Sequence, residues 1–365
     1  MWDNIFAQRP ACRKGGSMSK IRFQRIISEA RFHNPLRDFA EDRHELEIRK
    51  DPLLGDTSVY NPYLKDKAKA FFGDSDPDLI QRLVEESEKT CFFCGEKVEK
   101  GTPRFTADFL PEGRLRVGEA ILFPNLFSLG MHHPVVCLCK AHFLRLSGFH
   151  PDLIADGLTA VQKFLKIVYE KDASAIFAAI TANYLFPAGA SLVHPHLQML
   201  VTPAPYTYHG RLLEAQHAYY AENSSAFFSD LVREEMPGPR YVAGKGQWHW
   251  IAPFSPLGSN EFMAVHEAGA DFGDLTAADI NDLSYGISRV LSFYESLGHL
   301  SFNYAVYSAR EDSSFTGSRC IVKIISRQNL YPNYRNDDYF LQKLLQTELI
   351  IIPPEELAPR LRECF

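Results

Sequence analysis

The sequence lacks the features that would place it in several large classes of protein. Its 365 residues contain no run of about 20 consecutive apolar residues, so no membrane-spanning helix is predicted. The 39 basic and 45 acidic residues leave a formal net charge of -6, which gives no footprint for general nucleic-acid binding. The first ten residues lack a basic region followed by an apolar core, and we therefore expect no secretory signal.

Cysteine is also scarce. Seven cysteines are a small and odd number for this length, which argues against a disulfide framework. Together with the expected lack of a signal, this number predicts a protein of the reducing cytoplasm. The length itself is sufficient for two domains' worth of material and a substantial core.

The most informative stretch runs from Asn183 to Gln198, where His194, His196 and Gln198 recur at every second position. Alternate residues of a strand share a face, so we expect these three side chains on one side and the apolar residues between them in the core. Pro195 cannot donate to a sheet ladder, which predicts that this strand lies at a sheet edge or bends there.

The loop before this strand has the composition of an anion-binding turn. Residues 187–191, Pro-Ala-Gly-Ala-Ser, are small enough to bring backbone N–H groups and a hydroxyl against a phosphate. Such a loop beside paired histidines indicates phosphoryl or nucleotidyl transfer with a histidine nucleophile. The alternative is two ordinary core or surface histidines, and the combination of the loop with His-x-His-x-Gln argues against it.

Cys91 and Cys94 have the spacing of a zinc knuckle, and Gly95 permits the tight turn that points both thiolates one way. A redox pair or two ordinary buried cysteines would show the same spacing. A thioredoxin-like pair would open a helix, whereas a polar stretch with a glycine follows here. A structural zinc site takes about four ligands, so two more are needed from elsewhere.

Periodicity predicts an internal repeat of strands and helices. Residues 1–46 mix Arg, Glu and Phe without a period, and we expect an arm or a helix packed on the body. The expected helices cover residues 77–89, 151–169, 211–235 and 277–297, and the first of them should begin after Asp76. The expected strands cover residues 120–123, 134–139, 176–182, 193–201, 248–252, 262–265, 301–307 and 321–325.

These motifs together resemble the galactose-1-phosphate uridylyltransferase family, a branch of the histidine triad superfamily. The family pattern is an Asn, a Gly-x-Ser loop and His-Pro-His-x-Gln, and it is matched without a gap by Asn183, Gly189, Ser191, His194, Pro195, His196 and Gln198. The wider resemblance runs from about Glu47 to the C-terminus. It includes the cysteine pair and residues 51–55, 248–261 and 354–362.

The resemblance implies an α+β fold in which two histidine-triad-like halves form one mainly antiparallel sheet flanked by helices. The expected division is an N-terminal arm (1–46), a first half with the metal and active site (47–236) and a second half (237–365), joined in one continuous body. It also implies a cytoplasmic homodimer that acts in galactose and carbohydrate metabolism, with no nucleic-acid or membrane partner.

The resemblance supplies the missing metal ligands, His142 and His194, which complete a site with Cys91 and Cys94. Zinc is expected, with iron as the alternative. A closed four-ligand site leaves no open coordination position, so its role is structural. Cys137 and Cys139 are rival ligands, but they lie in the predicted apolar strand of residues 134–139, which is typical of core.

The second half departs from the family at its own metal site. The sequence has Arg327-Gln-Asn329 where the family has His-x-His, and Leu212 where it has a Glu. We therefore expect no second metal. In the base pocket, Leu64 and Lys67 align with family arginines, and Leu126 stands where an Asp is usual, which argues against strict uridine specificity.

The implied chemistry assigns the nucleophile to His196, whose neutral imidazole would form a phosphoramidate with an α-phosphorus. Its second ring nitrogen should donate to a backbone carbonyl, which fixes the tautomer. Gln198 offers an uncharged donor to a phosphate oxygen. The remaining substrate contacts are predicted for Asn183, the Gly189 amide, Ser191 and, at the ribose, Asn125.

Three functions agree with this pattern. The first is nucleotidyl transfer from a nucleotide sugar to a sugar 1-phosphate through a covalent histidine–nucleotide intermediate. The second is a phosphorylase that splits a nucleotide sugar or a dinucleoside polyphosphate with inorganic phosphate, because the nucleophilic step is shared. The third is a zinc-binding nucleotide sensor without catalytic activity. The retained His196 and Gln198 favour the first two.

Overall fold

The computed structural model describes residues 20–67, 71–310 and 314–365. The strands are β1 (Gln24–Asn34), β2 (Ala40–Lys50), β3 (Thr57–Tyr60), β4 (Leu115–Val117), β5 (Ala120–Pro124), β6 (Pro134–Cys137), β7 (Phe177–Tyr184), β8 (His196–Thr202), β9 (Tyr241–Lys245), β10 (Trp248–Ile251), β11 (Phe262–His266), β12 (Phe302–Ala309), β13 (Ile321–Ser326) and β14 (Thr347–Ile350). The α-helices are α1 (Pro77–Thr90), α2 (Lys97–Gly101), α3 (Pro151–Lys171), α4 (Thr207–Asn223), α5 (Phe227–Glu235), α6 (Ala277–Ser296), α7 (Phe340–Lys343) and α8 (Pro354–Arg362).

The helices begin where their capping residues predict. Asp76 caps α1 by accepting hydrogen bonds from the backbone N–H groups of Asp78 and Leu79, as its position before a Pro-initiated helix indicates. The single helix expected over residues 211–235 is in fact two helices, because Ser224 adopts a left-handed conformation with φ 52° between α4 and α5. None of the helices within the described ranges is long and apolar enough to cross a membrane.

The main sheet has ten strands in the order β4-β5-β6-β8-β7-β12-β13-β11-β10-β9, and its neighbouring strands are antiparallel. The first half contributes β5-β6-β8-β7, and the second half contributes the matching series β10-β11-β13-β12. The two series meet edge to edge where β7 pairs with β12. The predicted fold of two similar halves in one mainly antiparallel sheet flanked by helices is confirmed.

A smaller sheet, β1-β2-β3-β14, contains the described part of the expected N-terminal arm. From the sequence, either an arm or a helix was expected for residues 1–46. In the structure, residues 24–50 form the antiparallel hairpin β1–β2 and not a helix. Arg49 ties this hairpin to the C-terminal helix through Glu355, at 2.9 Å. Residues 1–19 lie outside the described residues, and the proposed domain boundaries stay a prediction.

The two faces of the main sheet differ in cover. Helices α3 and α6 pack on one face, where Leu197, Met199 and Val201 are at most 2% exposed, as the alternation of β8 predicts. On the other face, the strand register places Gln198 opposite Thr181, Thr181 opposite Ala305, and Ala305 opposite Lys323. Residues directly opposite one another point to the same side, so these four form one row. We call this second side the cleft face.

Of the two alternatives expected for Pro195, an edge strand or a bend, the edge strand is wrong. Strand β8 lies inside the sheet, between β6 and β7, and it begins at His196, immediately after the proline. The missing N–H of Pro195 therefore costs no ladder bond, while its carbonyl oxygen accepts from the backbone N–H of Leu138 at 3.1 Å. His194 consequently lies outside the strand and is free to turn toward the cysteine pair.

Candidate active site and metal centre

The four residues predicted to bind a metal come together. The ligand atoms of Cys91, Cys94, His142 and His194 all lie within 4.8 Å of one another. The Nδ1 atom of His194 is 3.6 Å from Cys91 Sγ and 3.4 Å from Cys94 Sγ, and that of His142 is 3.3 Å from Cys94 Sγ. Tetrahedral zinc with bonds of about 2.3 Å to sulfur and about 2.0 Å to nitrogen places its ligand atoms roughly 3.5 Å apart. The group could therefore hold a metal ion.

Hydrogen bonds fix the ring tautomers that such a site needs. The hydroxyl of Ser87 donates to the Val84 carbonyl oxygen, so it accepts from His142 Nε2–H at 2.8 Å. His194 Nε2–H donates to the carbonyl oxygen of Cys139 at 2.8 Å. Both Nδ1 atoms are then left with a lone pair directed at the thiols, which is the usual outer arrangement of metal-binding histidines.

The burial of this four-residue cluster is consistent with a bound cation. Burial raises the pKa of the Cys94 thiol to about 12 and lowers the pKa of His194 to about 4, so both of these groups would by themselves be neutral. A divalent ion supplies the charge that stabilises thiolates in such surroundings. Cys137 and Cys139 stay outside this four-residue group, and the cysteines of the described residues are free thiols.

His196, the first residue of β8, has the geometry of a prepared nucleophile. It is 8% exposed, and its Nδ1–H donates to the carbonyl oxygen of His194 at 2.8 Å, which is the backbone bond that the sequence predicted. The other ring nitrogen, Nε2, makes no hydrogen bond within the described residues and carries the lone pair. Burial lowers the pKa of His196 below its usual value, so the ring is neutral near pH 7.

Gln198 lies two residues farther along the same face, and its amide is oriented by a neighbour that the sequence did not reveal. The backbone N–H of Leu129 donates to His133 Nδ1 at 2.9 Å, so the proton of this neutral ring is on Nε2. His133 Nε2–H in turn donates to Gln198 Oε1 at 2.8 Å. With its oxygen held in this way, Gln198 can direct its NH₂ group into the cleft.

Asn125 belongs to the same network. Its Oδ1 accepts from the backbone N–H of Phe127 at 2.9 Å, and its Nδ2 donates to Gln198 Oε1 at 3.2 Å. The side chain predicted to contact a ribose therefore supports Gln198 in this structure. Its role as a substrate contact stays a prediction.

The loop between β7 and β8 carries the other predicted phosphate contacts. Leu185 begins the loop with φ 65°, a left-handed value that a branched residue rarely adopts and that is typical of strained functional turns. Gly189 also has a positive φ of 82°, but its amide already donates to the Phe186 carbonyl oxygen at 2.9 Å. The glycine thus shapes the turn, whereas exposed Ser191 has no hydrogen-bond partner for its hydroxyl among the described residues.

Asn183 lies on β7 with its side chain on the cleft face, two residues beyond Thr181. Its Oδ1 accepts from Asn303 Nδ2 at 2.6 Å, and Asn303 faces it from β12. The side chains of the site therefore come from strands β8, β7 and β12 and from the residues just before β6. Strand β12 belongs to the second half of the chain.

The positions that depart from the resemblance have other contacts. Arg327 forms an ion pair with Asp337 at 2.6 Å. Leu212, on α4, packs in an apolar cluster with residues of α5. Lys323, in the row of Gln198, is paired with buried Glu261 at 2.6 Å. That a second metal site is missing stays a prediction, since these contacts do not test it.

Comparison with known proteins supports the fold. No family model matches the chain. An uncharacterized protein of Archaeoglobus fulgidus is 27% identical over 325 residues, which are 89% of this chain and 94% of the relative. An ADP-glucose phosphorylase from Arabidopsis thaliana, solved with bound ADP-glucose, superposes with a TM-score of 0.67 at 18% identity over 87% of this chain and 99% of its own.

Two further solved structures are similar. A GalT-like protein from Arabidopsis thaliana has a TM-score of 0.65 at 19% identity and covers 87% of this chain and 98% of its own. A mutant uridylyltransferase has a TM-score of 0.62 at 18% identity, covering 87% of this chain and 97% of its own. The chain therefore has the same fold as these solved structures, and the predicted resemblance is confirmed at the level of the fold.

Proposed function

We propose that this protein is a nucleotidyltransferase that moves a nucleoside monophosphate from a nucleotide sugar to a sugar 1-phosphate through a covalent intermediate on His196. The observation that carries the proposal is the state of this histidine. Its Nδ1–H is bound to the backbone of His194, and its Nε2 lone pair is unoccupied on the cleft face.

The two chemical steps balance as follows. In the first, the Nε2 lone pair of His196 attacks the α-phosphorus, the bond from that phosphorus to the bridging oxygen breaks, and sugar 1-phosphate leaves with the electron pair. The imidazolium that forms is stabilised because its Nδ1–H already donates to a carbonyl oxygen. In the second step a phosphate oxygen of the acceptor attacks, the P–N bond breaks, and His196 returns to its neutral form.

The charge on the transferred phosphoryl group is met by fixed donors. Gln198 presents an amide whose oxygen is held by His133 and Asn125, so its N–H groups need no reorganisation during the reaction. Asn183 and the hydroxyl of Ser191 are proposed to bind the remaining oxygens. Donors fixed in this way are worth about 2.7–4 kcal/mol each where one has been removed from other enzymes.

We propose that the metal site has a structural role. Zinc, with iron as the alternative, would be held by both cysteines, His142 and His194 and would supply the positive charge that keeps the thiolates ionised. The position of His194 also affects His196, because the backbone carbonyl oxygen of His194 accepts a hydrogen bond from His196 Nδ1–H. Positioning His194 therefore positions the nucleophile.

Two residues near the expected base pocket bear on which base is bound. Leu64 is half-buried and uncharged where the resemblance would place an arginine, and Leu126 is 71% exposed. We therefore expect uridine nucleotides to bind no better than adenine or guanine nucleotides. The resemblance implies a sugar 1-phosphate as the acceptor. If inorganic phosphate discharged the same intermediate instead, the reaction would be a phosphorolysis.

The test is covalent labelling by a panel of nucleotide sugars that carry radiolabel in the α-phosphate. The wild-type protein should retain label after denaturation and release sugar 1-phosphate before any acceptor is added. The bond should be acid-labile and alkali-stable, as a phosphoramidate is. Adding a sugar 1-phosphate or inorganic phosphate separately then shows which acceptor discharges the label.

Two variants sharpen this test. His196→Gly should abolish labelling and transfer while the metal content stays normal, because His196 is not among the four metal-binding residues. His132→Ala is the matched control, because this nearby histidine is bound to Asp172 and not to the site. Normal turnover of His196→Gly, or unlabelled wild-type protein with every nucleotide sugar, would exclude the histidine mechanism.

A further inference from the structure

A chain of hydrogen bonds connects the second half of the protein to the phosphate contacts of the first half. Asp337 accepts two hydrogen bonds from Arg327, from Nε at 2.8 Å and from Nη2 at 2.6 Å. Arg327 Nη1 donates to Asn303 Oδ1 at 2.6 Å. Asn303 Nδ2 then donates to Asn183 Oδ1 at 2.6 Å and to the carbonyl oxygen of Ala188 at 2.9 Å.

The direction of this chain is fixed from one end to the other. A guanidinium can only donate, so the Asn303 atom that meets Arg327 must be the oxygen. The Asn303 atom that meets Asn183 must then be the NH₂ group, and the Asn183 atom that receives it must be the oxygen. The NH₂ group of Asn183 is thereby left to face the cleft.

The chain is also well protected from solvent. The side chain of Arg327 is 17% exposed and that of Asp337 is 6% exposed, while Asn303 is half-buried between them and the cleft. Hydrogen bonds to charged groups in such surroundings are stronger than those between neutral groups. The buried ion pair therefore sets the orientation of two successive amides.

We propose that Asn303 is a positioning residue for the phosphoryl group. It holds the Asn183 amide with its donor toward the α-phosphate, and Arg327 with Asp337 holds Asn303 in that orientation. This inference rests on the proposed function, since it assigns Asn303 a part in binding the group that His196 attacks.

The sharpest perturbation is Asn303→Asp. The carboxylate keeps the shape and the bond to Arg327, but it places an acceptor where the Nδ2 donor was. Asn183 must then rotate its amide to donate to the new carboxylate, which turns its oxygen toward the phosphate. We expect the rate of covalent labelling to fall at least tenfold, while a thermal melt shows that the variant is still folded at the assay temperature.

A double-mutant cycle separates orientation from general damage. In an Asn183→Ala background the amide is gone, so Asn303→Asp should cost much less there than in the wild type, no more than about threefold. Asp338→Asn is the matched control, because this neighbouring carboxylate binds Lys343 and not Arg327. It should label at the wild-type rate.

The outcomes distinguish this inference from the proposed function. If the wild-type protein labels and Asn303→Asp labels equally fast, the positioning role is refuted while the histidine mechanism stands. An equal loss in both backgrounds would also refute it, because the effect would then run through the Ala188 loop or the fold and not through Asn183. Failure of the wild-type protein to label refutes the proposed function itself.

Discussion

Replacing Cys94 by serine should release the metal and detach the segment that the metal holds. Cys94 Sγ lies close to the Nδ1 atoms of both predicted histidine ligands, 3.3 Å from that of His142 and 3.4 Å from that of His194. A serine hydroxyl does not ionise at neutral pH, so the site keeps three of the about four ligands that zinc requires. The cluster joins the end of α1 to His194, two residues before β8, and its loss should affect both segments.

The packing of the segment shows how large the effect should be. From Cys91 to the end of α2, the large apolar side chains buried on the body are Phe93, at 9% exposure, and Val98, at 5%. Burying two such side chains contributes roughly 3–6 kcal/mol. Ordering the backbone costs about 1–2 kcal/mol per residue, so this gain is consumed within a few residues. Metal binding in comparable peptides contributes about 10–16 kcal/mol and should therefore decide whether the segment stays in place.

The assay combines metal analysis with hydrogen exchange. Wild-type protein should contain one zinc or iron per chain, and Cys94→Ser should contain almost none and lose protection from residue 91 to residue 101. Cys320→Ala is the matched control, because this buried free thiol lies outside the four-residue group, and it should keep the metal. Ser87→Ala removes the partner of His142 Nε2–H and should weaken metal binding about 10–100-fold. Full metal content, or unchanged protection in metal-free Cys94→Ser, would refute the reasoning.

Further predictions concern the nucleophile and its neighbours. His133→Phe keeps a ring but removes the donor to Gln198; since such a bond is worth about 1 kcal/mol, labelling should slow roughly fivefold, and an unchanged rate would contradict the orienting role. Burial lowers the pKa of His196, and a protonated ring has no lone pair, so the labelling rate should stay level as pH falls through about 6.5 and decline only in more acid solution. An inflection at or above pH 6.5 in the labelling profile would contradict this. Calorimetry with UDP, ADP and GDP should show no marked preference for UDP, given the uncharged Leu64.

Much of this protein could be predicted from the sequence because the relevant signals are local. The alternation after Pro195 places Leu197 and Met199 in the core and His196 and Gln198 on the other face, and this follows from the two-residue period of a strand alone. The helical periods and the Asp76 cap likewise predicted the positions of α1, α3 and α6, whereas the helix expected over residues 211–235 is two helices. The metal ligands could be named beforehand because the residue types and the resemblance agree.

The tertiary structure decided the features that depend on strand pairing. Nothing local in the sequence shows that β8 lies inside the sheet, or that β7 and β12 join the two halves, because these pairings are made between distant segments. The expectation of an edge strand at Pro195 failed for this reason. A proline excludes a ladder position, but it does not reveal which strands lie on either side.

The orientation of the Asn183 and Gln198 amides is likewise a property of the assembled fold. Asn183 meets Asn303 across 120 positions of sequence, and Gln198 meets His133 across 65. The sequence identified which residues carry donors, because residue type alone fixes what a side chain can donate or accept. Which of its atoms each amide turns toward the cleft was decided by the partners that the sheet brings beside it, since a hydrogen bond forms only at contact distance.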